Sequence, residues 1–160
     1  VDIKSDGSLD IGNDVLKELD IVIASIHSGF KQPKKQLTYR FVSAMKNPYV
    51  SIIAHPTGRL IGERDAYDVD MDEILDVAKK TGTAIEINAY PLRLDINDTY
   101  AKMAKEMGIP IVIATDTHII NQYDYIRYGV SIARRGWLEK KDVLNTLNVD
   151  RLLKRLKPLR

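Results

Sequence analysis

The 160-residue chain contains no cysteine. A disulfide framework, a thiolate nucleophile and a thiolate zinc site are therefore excluded, and any bound metal must take nitrogen and oxygen ligands. No apolar run approaches the roughly 20 residues of a membrane-spanning helix, so no membrane contact is expected. The opening Val1-Asp2-Ile3-Lys4 lacks the basic-then-apolar pattern of a secretory signal, which makes the cytoplasm the expected compartment. The chain also lacks an initiator methionine, and its strand-like Val-Asp-Ile start is expected to be an internal stretch of something longer. Internal repeats and low-complexity segments are missing as well.

With 44% apolar and 29% charged residues, the composition is that of one ordinary globular unit. Formal net charge is only +2, yet after His118 ten Lys or Arg stand against four acids, a surplus of six positive charges. Such a basic end permits contact with phosphates or nucleic acid. A solvated helical face is the plainer reading.

Short apolar runs alternate with stretches of helical periodicity. Ile21 to Ser25, Val50 to Ala54, Thr83 to Asn88 and Ile111 to Ala114 read as buried strands. Leu37, Phe41, Ala44 and Met45 recur at three- and four-residue spacing within a helix expected over Lys34 to Lys46. A second helix is expected to begin at Asp70, in a capping box with Glu73, and to end near Gly82. A third starts from Asn97 or Asp98 and closes at Gly108. Asn13-Asp14 reads as the cap of a short helix over Val15 to Leu19, and further helices are expected over Tyr125 to Ala133, Glu139 to Thr146 and Asp150 to Leu156. Leu60 to Val69 reads as a charged surface loop overhanging the strand ends. Four βα units at roughly thirty-residue spacing predict an α/β fold with parallel strands and outer helices. A complete (β/α)₈ barrel usually needs about 250 residues, which leaves an open sheet or an incomplete barrel.

All three histidines sit just past an expected strand: His27, His55 and His118. Asp116 stands two residues before His118. Parallel sheets place their chemistry at the C-terminal ends of the strands, so these four side chains are expected on one rim. Neutral imidazole and carboxylate are ligands for zinc, manganese or iron(II), and Asp116 and His118 would share a face if the strand continued through them. A single histidine in such a place can equally be a hydrogen-bonded core or surface residue; three in the same kind of place favour ligation. Arg59 reaches the rim after His55 and can either grip a phosphate or pair with Glu63 or Asp65. Glu86, an acid inside a strand, can orient a ligand, act as a base or sit in a salt bridge. The eight tyrosines read as packing residues with wet hydroxyls.

The segments Ile23-Ala24-Ser25-Ile26-His27-Ser28-Gly29-Phe30, Ala54-His55-Pro56-Thr57-Gly58-Arg59, Glu86-Ile87-Asn88-Ala89, Thr115-Asp116-Thr117-His118 and Ala133-Arg134-Arg135-Gly136-Trp137 resemble, in order and spacing, the later part of the PHP (polymerase and histidinol phosphatase) domain attached to bacterial and archaeal family X DNA polymerases. The resemblance implies a partial distorted (β/α)₇ barrel whose N-terminal strands are missing, so that residues 1–160 are expected to be the C-terminal portion of one PHP domain. It implies up to three divalent ions, manganese or zinc, in the complete domain. His27, His55, Asp116 and His118 match family metal ligands; Arg59 and Asn88 match rim residues that face the substrate. The implied activity is metal-dependent hydrolysis of phosphoester bonds at DNA ends, of the 3′-5′ exonuclease type, in DNA repair, with DNA ends and a polymerase domain as partners. The family's opening His-x-His motif and the segments after it are not in these residues, so the fragment is expected to be weakly active or inactive and to self-associate through an exposed sheet edge and apolar inner face. The alternatives are a phosphatase acting on a small phosphomonoester such as histidinol phosphate, and a non-catalytic module that supports a polymerase.

Overall fold

A computed structural model describes residues 1–156; Lys157 and Arg160 of the basic end lie outside them. Four parallel strands, β1 (Ile23–Ala24), β2 (Ile52–Ile53), β3 (Ala84–Asn88) and β4 (Ile111–Ala114), pair in sequence order. The connections carry α2 (Lys34–Lys46), α3 (Met71–Thr81) and α4 (Asp98–Met107). Short α1 (Asn13–Leu16) precedes β1, and α5 (Ile126–Arg135) and α6 (Val149–Leu156) follow β4. The expected α/β architecture of parallel strands with outer helices is present, and the sequential parallel order is consistent with a partial barrel.

Side-chain alternation divides the sheet between two cores. Ile53, Ile85, Ile87, Ile111 and Ile113 join the larger one, with Leu37, Phe41 and Met45 of α2, Ile74, Leu75 and Ala78 of α3, and Ala101 and Ala104 of α4. The intervening Ile52, Ala84 and Val112 meet Leu144, Leu152 and Leu156 in a smaller cluster. The apolar inner face expected to lie open is therefore covered along these positions by the C-terminal turns and α6.

The outer strands are also bordered. Val1 and Ile3 exchange backbone hydrogen bonds with Ser25. Beyond β4, the Asn145 side chain stands in for a strand: its Oδ1 accepts from Ile113 N and its Nδ2 donates to Ile113 O, at 2.8 and 2.9 Å. Val143 is extended and bridges Ile111, which is why the helix expected over Glu139 to Thr146 is broken into 3₁₀ turns at Lys140–Asp142 and Leu144–Thr146.

Other local expectations shift for equally specific reasons. Asp70 caps α3 by accepting from Glu73 N at 3.0 Å, but its own N–H donates to Thr38 Oγ1 on α2. Gly12, not Asn13 or Asp14, is the N-cap of α1, and Asn13 Oδ1 instead accepts from Asn47 Nδ2. Asn97 caps α4 as expected, and Gly82 and Gly108 close α3 and α4 in the left-handed conformation. The loop after Arg59 folds back on the body: Tyr67 N donates to Thr57 O, and the buried Tyr67 hydroxyl donates to Ile26 O. Its ring lies so close over Gly58 that a Cβ there would come within 1.8 Å of Tyr67 Cζ.

Candidate functional site

His27, His55, Asp116 and His118 all follow the C-terminal ends of strands, as the apolar runs foretold. They form two neighbouring pairs. The rings of His27 and His55 meet edge to face at a centroid distance of 5.4 Å. Asp116 and His118 line a cleft of about 360 Å³ together with Leu60, Tyr90, Arg93 and Gln122. Among the described residues, no three His, Asp or Glu side chains stand grouped as a metal cluster.

The backbone at these positions departs from the ideal strand. His55 and Asp116 adopt φ of 31° and 53°, a region costly for residues with a Cβ and concentrated at functional sites. The left turn at Asp116 ends the extension that would have aligned it with His118. Instead, His118 Nδ1 lies 2.8 Å from the Asp116 carbonyl. A carbonyl only accepts, so Nδ1 is the donor in this contact, and in the neutral ring the lone pair then lies on Nε2. Ligating histidines are commonly oriented by such a backbone contact.

His55 is buried, and its Nδ1 has no hydrogen-bond partner among the described residues. Burial, reinforced by the positive charge of Arg93, lowers its pKa to about 4, so at neutral pH it is an uncharged base. His27 is more open: its Nε2 lies 3.2 Å from Ser25 Oγ, its Nδ1 3.4 Å from Asp2 Oδ1, and its backbone N–H donates to the same carboxylate. The orphaned buried ring nitrogen of His55, the imidazole of His118 and the carboxylate of Asp116 are by chemical type suited to a divalent ion of intermediate softness, but among the described residues they are not gathered into one cluster.

Two buried acids fix the loop carrying His55. Glu86 Oε2 accepts the His55 N–H at 2.7 Å and also takes a bond from Asn88 Nδ2. Asp95 accepts the N–H groups of Thr57 and Gly58, at 3.0 and 2.8 Å to Oδ2. Burial pushes Glu86 up to about 8 and Asp95 up to about 6, against the pull of these donors. Of the readings open to Glu86, orientation of the His55 segment is the one its contacts match.

Arg59 pairs with neither acid of its own loop in the hydrogen bonds it makes. Its Nε donates to Arg93 O at 2.6 Å and its Nη2 to Leu94 O, tying the β3–α4 connection to the rim. Asn88 is fully buried, with Nδ2 on Glu86 and Oδ1 accepting from Tyr90 N. Arg93, not singled out by the sequence, lines the cleft with Nε 3.4 Å from Asp116 Oδ2 and a buried Nη1 that lacks a partner among the described residues. An arginine and an acid flanking one apolar residue, in Arg93-Leu94-Asp95 just past a strand end, were the available signal for this pair.

No helix among the described residues is long and apolar enough to cross a membrane. No family model matches the chain. Among curated proteins, it is 49% identical over 158 residues to the DNA polymerase/3′-5′ exonuclease PolX of Bacillus subtilis (strain 168), covering 97% of the chain and 28% of that protein. It is 33% identical over 150 residues to a probable phosphatase of Thermoanaerobacter sp. (strain X514), covering 88% of the chain and 59% of the relative. A probable phosphatase of Caldanaerobacter subterraneus subsp. tengcongensis is 32% identical over 156 residues, with 92% and 59% covered. The chain thus spans about a quarter of the polymerase and somewhat over half of the phosphatases. Along nearly its whole length the chain is similar to a part of a DNA polymerase/3′-5′ exonuclease and to a part of the probable phosphatases.

Proposed function

We propose that the segment is the C-terminal part of a PHP domain and that its rim hydrolyses phosphoester bonds at DNA ends once the complete domain is assembled. His27, His55, Asp116 and His118 would hold divalent ions, manganese or zinc. Bound there, the ions would supply a Lewis acid for the phosphoryl oxygens and activate the attacking water. The observation that carries this reading is the meeting of His55, neutral and with a ring nitrogen unpartnered among the described residues, with His27, beside the Asp116–His118 cleft at the ends of parallel strands.

The chain's own residues divide the remaining work. Arg93 gives the substrate phosphate a charged donor, since among the described residues its Nη1 lacks a partner and its Nε already faces the cleft acid. Arg59 holds the carbonyls of residues 93 and 94, and thereby the placement of Arg93. Asn88 acts by positioning, joining Glu86 to the turn at Tyr90. Glu86 and Asp95 keep the His55 loop rigid, which lowers the reorganisation needed to bind a cation.

The probable phosphatases among the relatives favour a second reading, hydrolysis of a small phosphomonoester. Assays with manganese on a labelled single-stranded 3′ end and on a small phosphomonoester separate the two. Preferential nucleotide release supports the first, and phosphomonoester turnover alone supports the second. Neither activity, in a longer protein that retains its preceding segments, would favour a structural module supporting a polymerase.

A further inference from the structure

We propose that Tyr90, Tyr125 and Tyr128, with Arg127, form a stacking track for the unpaired bases of a single-stranded DNA segment leading into the cleft. The proposal deepens the phosphoesterase reading by naming how a substrate strand is held. It rests on that reading only for what happens to the strand inside the cleft.

The rings follow one another outward from the candidate site. Tyr90 lines the cleft beside Asp116 and His118. Its ring meets that of Tyr125 at 5.8 Å and 65°, and Tyr125 meets Tyr128 at 6.0 Å and 41°. Arg127 closes the series, with Cζ 5.0 Å from the centre of the Tyr128 ring and Nη2 donating to the Tyr128 hydroxyl at 3.3 Å. The outermost ring is open to solvent: Tyr128 is 37% exposed. Rings placed only to fill a core would be covered, as Tyr67 is at 7%.

The electrostatic setting selects the occupant. Helix α5 carries Arg127, Arg134 and Arg135 and no acid. Arg135 is paired with Asp98 at 2.8 Å, but among the described residues Arg127 and Arg134 have no acidic partner. Aromatic faces beside these two suit a polyanion with exposed π-faces, whereas an apolar protein partner would leave their guanidinium groups desolvated. A duplex keeps its bases stacked internally, so only an unpaired strand can use the rings. A small phosphomonoester would end at the cleft and leave the track unused.

The test is fluorescence anisotropy of a labelled oligothymidine binding to this chain in EDTA, where no metal is bound and nothing turns over. Failure of the hydrolysis reading would therefore leave the binding readout intact. Tyr128→Leu keeps apolar bulk and removes the π-face; it should weaken binding roughly tenfold, as expected for one lost base stack. Tyr128→Phe should stay within about twofold of wild type by the same stacking argument, and affinity for a duplex of equal length should not change in either variant. Wild-type affinity in Tyr128→Leu would overturn the proposal, as would an equal loss in Tyr128→Phe. Unchanged oligonucleotide binding with a loss of self-association in light scattering would assign the rings to a protein contact instead.

Discussion

Glu86 on β3 accepts the backbone N–H of His55 just past β2, at 2.7 Å, with its carboxyl buried at the end of an otherwise apolar sheet face. An acid that grips the main chain of a candidate ligand, rather than its ring, sets where that ligand stands without using its nitrogen atoms. Replacing Glu86 by Ala should leave the His55 N–H buried and unbonded, costing about 1–3 kcal/mol. Glu86→Gln keeps an accepting oxygen and should cost less. Chemical denaturation of the two variants measures the difference.

The same carboxyl makes stability depend on pH. Its folded pKa of about 8 lies above the ordinary glutamate value of 4.5, so between these limits the unfolded chain binds fewer protons than the folded one. Its contribution is fully present below about 4.5 and is lost as pH rises through about 8. Asp95, raised from 3.8 to about 6, acts in the same direction over a lower window. His55 acts oppositely: lowered from 6.5 to about 4, it costs stability as pH falls through that interval. Denaturation midpoints of Glu86→Gln between pH 6 and 8 should therefore fall less with rising pH than those of wild type. An unchanged slope would remove Glu86 as its source.

Gly58 is required by two constraints together, a φ of +58° and the Tyr67 ring across it. Gly58→Ala should destabilise by about 3 kcal/mol or more, from left-handed strain and steric overlap combined. Because Gly58 N also binds Asp95, the change should reach the His55 loop. Thermal denaturation gives the loss directly.

Arg59 and Arg93 should separate by readout. Arg93→Ala in a longer, active protein should reduce kcat/KM on a phosphodiester roughly a hundredfold, the scale for removing one donor to a reacting phosphate or acyl group, with little change in denaturation midpoint. Arg59→Ala should instead lower stability by about 1–3 kcal/mol, by freeing the carbonyls of residues 93 and 94. Equal kinetic losses without a stability difference would contradict this division.

Much of the scaffold was legible because buried parallel strands and amphipathic helices leave different periodicities. Helix α2 runs from Lys34 to Lys46 and β4 from Ile111 to Ala114, with the bounds read from the sequence. Expectations failed where a distant partner decides. Thr38 supplies half of the Asp70 cap, and Asn145 takes the edge of β4 and breaks a helix. The rim placement of His27, His55, Asp116 and His118 could be read because each follows an apolar run. The roles of Asp95 and Arg93 could not, since they depend on a loop folding back from β3 to the turn after β2 and to the residues after β4. Arg59 was visible as a rim cation, but its grip on two backbone carbonyls was not.

Calorimetric titration of manganese into this chain tests the central claim most directly, that these strand ends hold a divalent cation. The account predicts at most one strong site, lost in both His55→Ala and Asp116→Ala. Unchanged manganese affinity in either variant would place the metal elsewhere and contradict it.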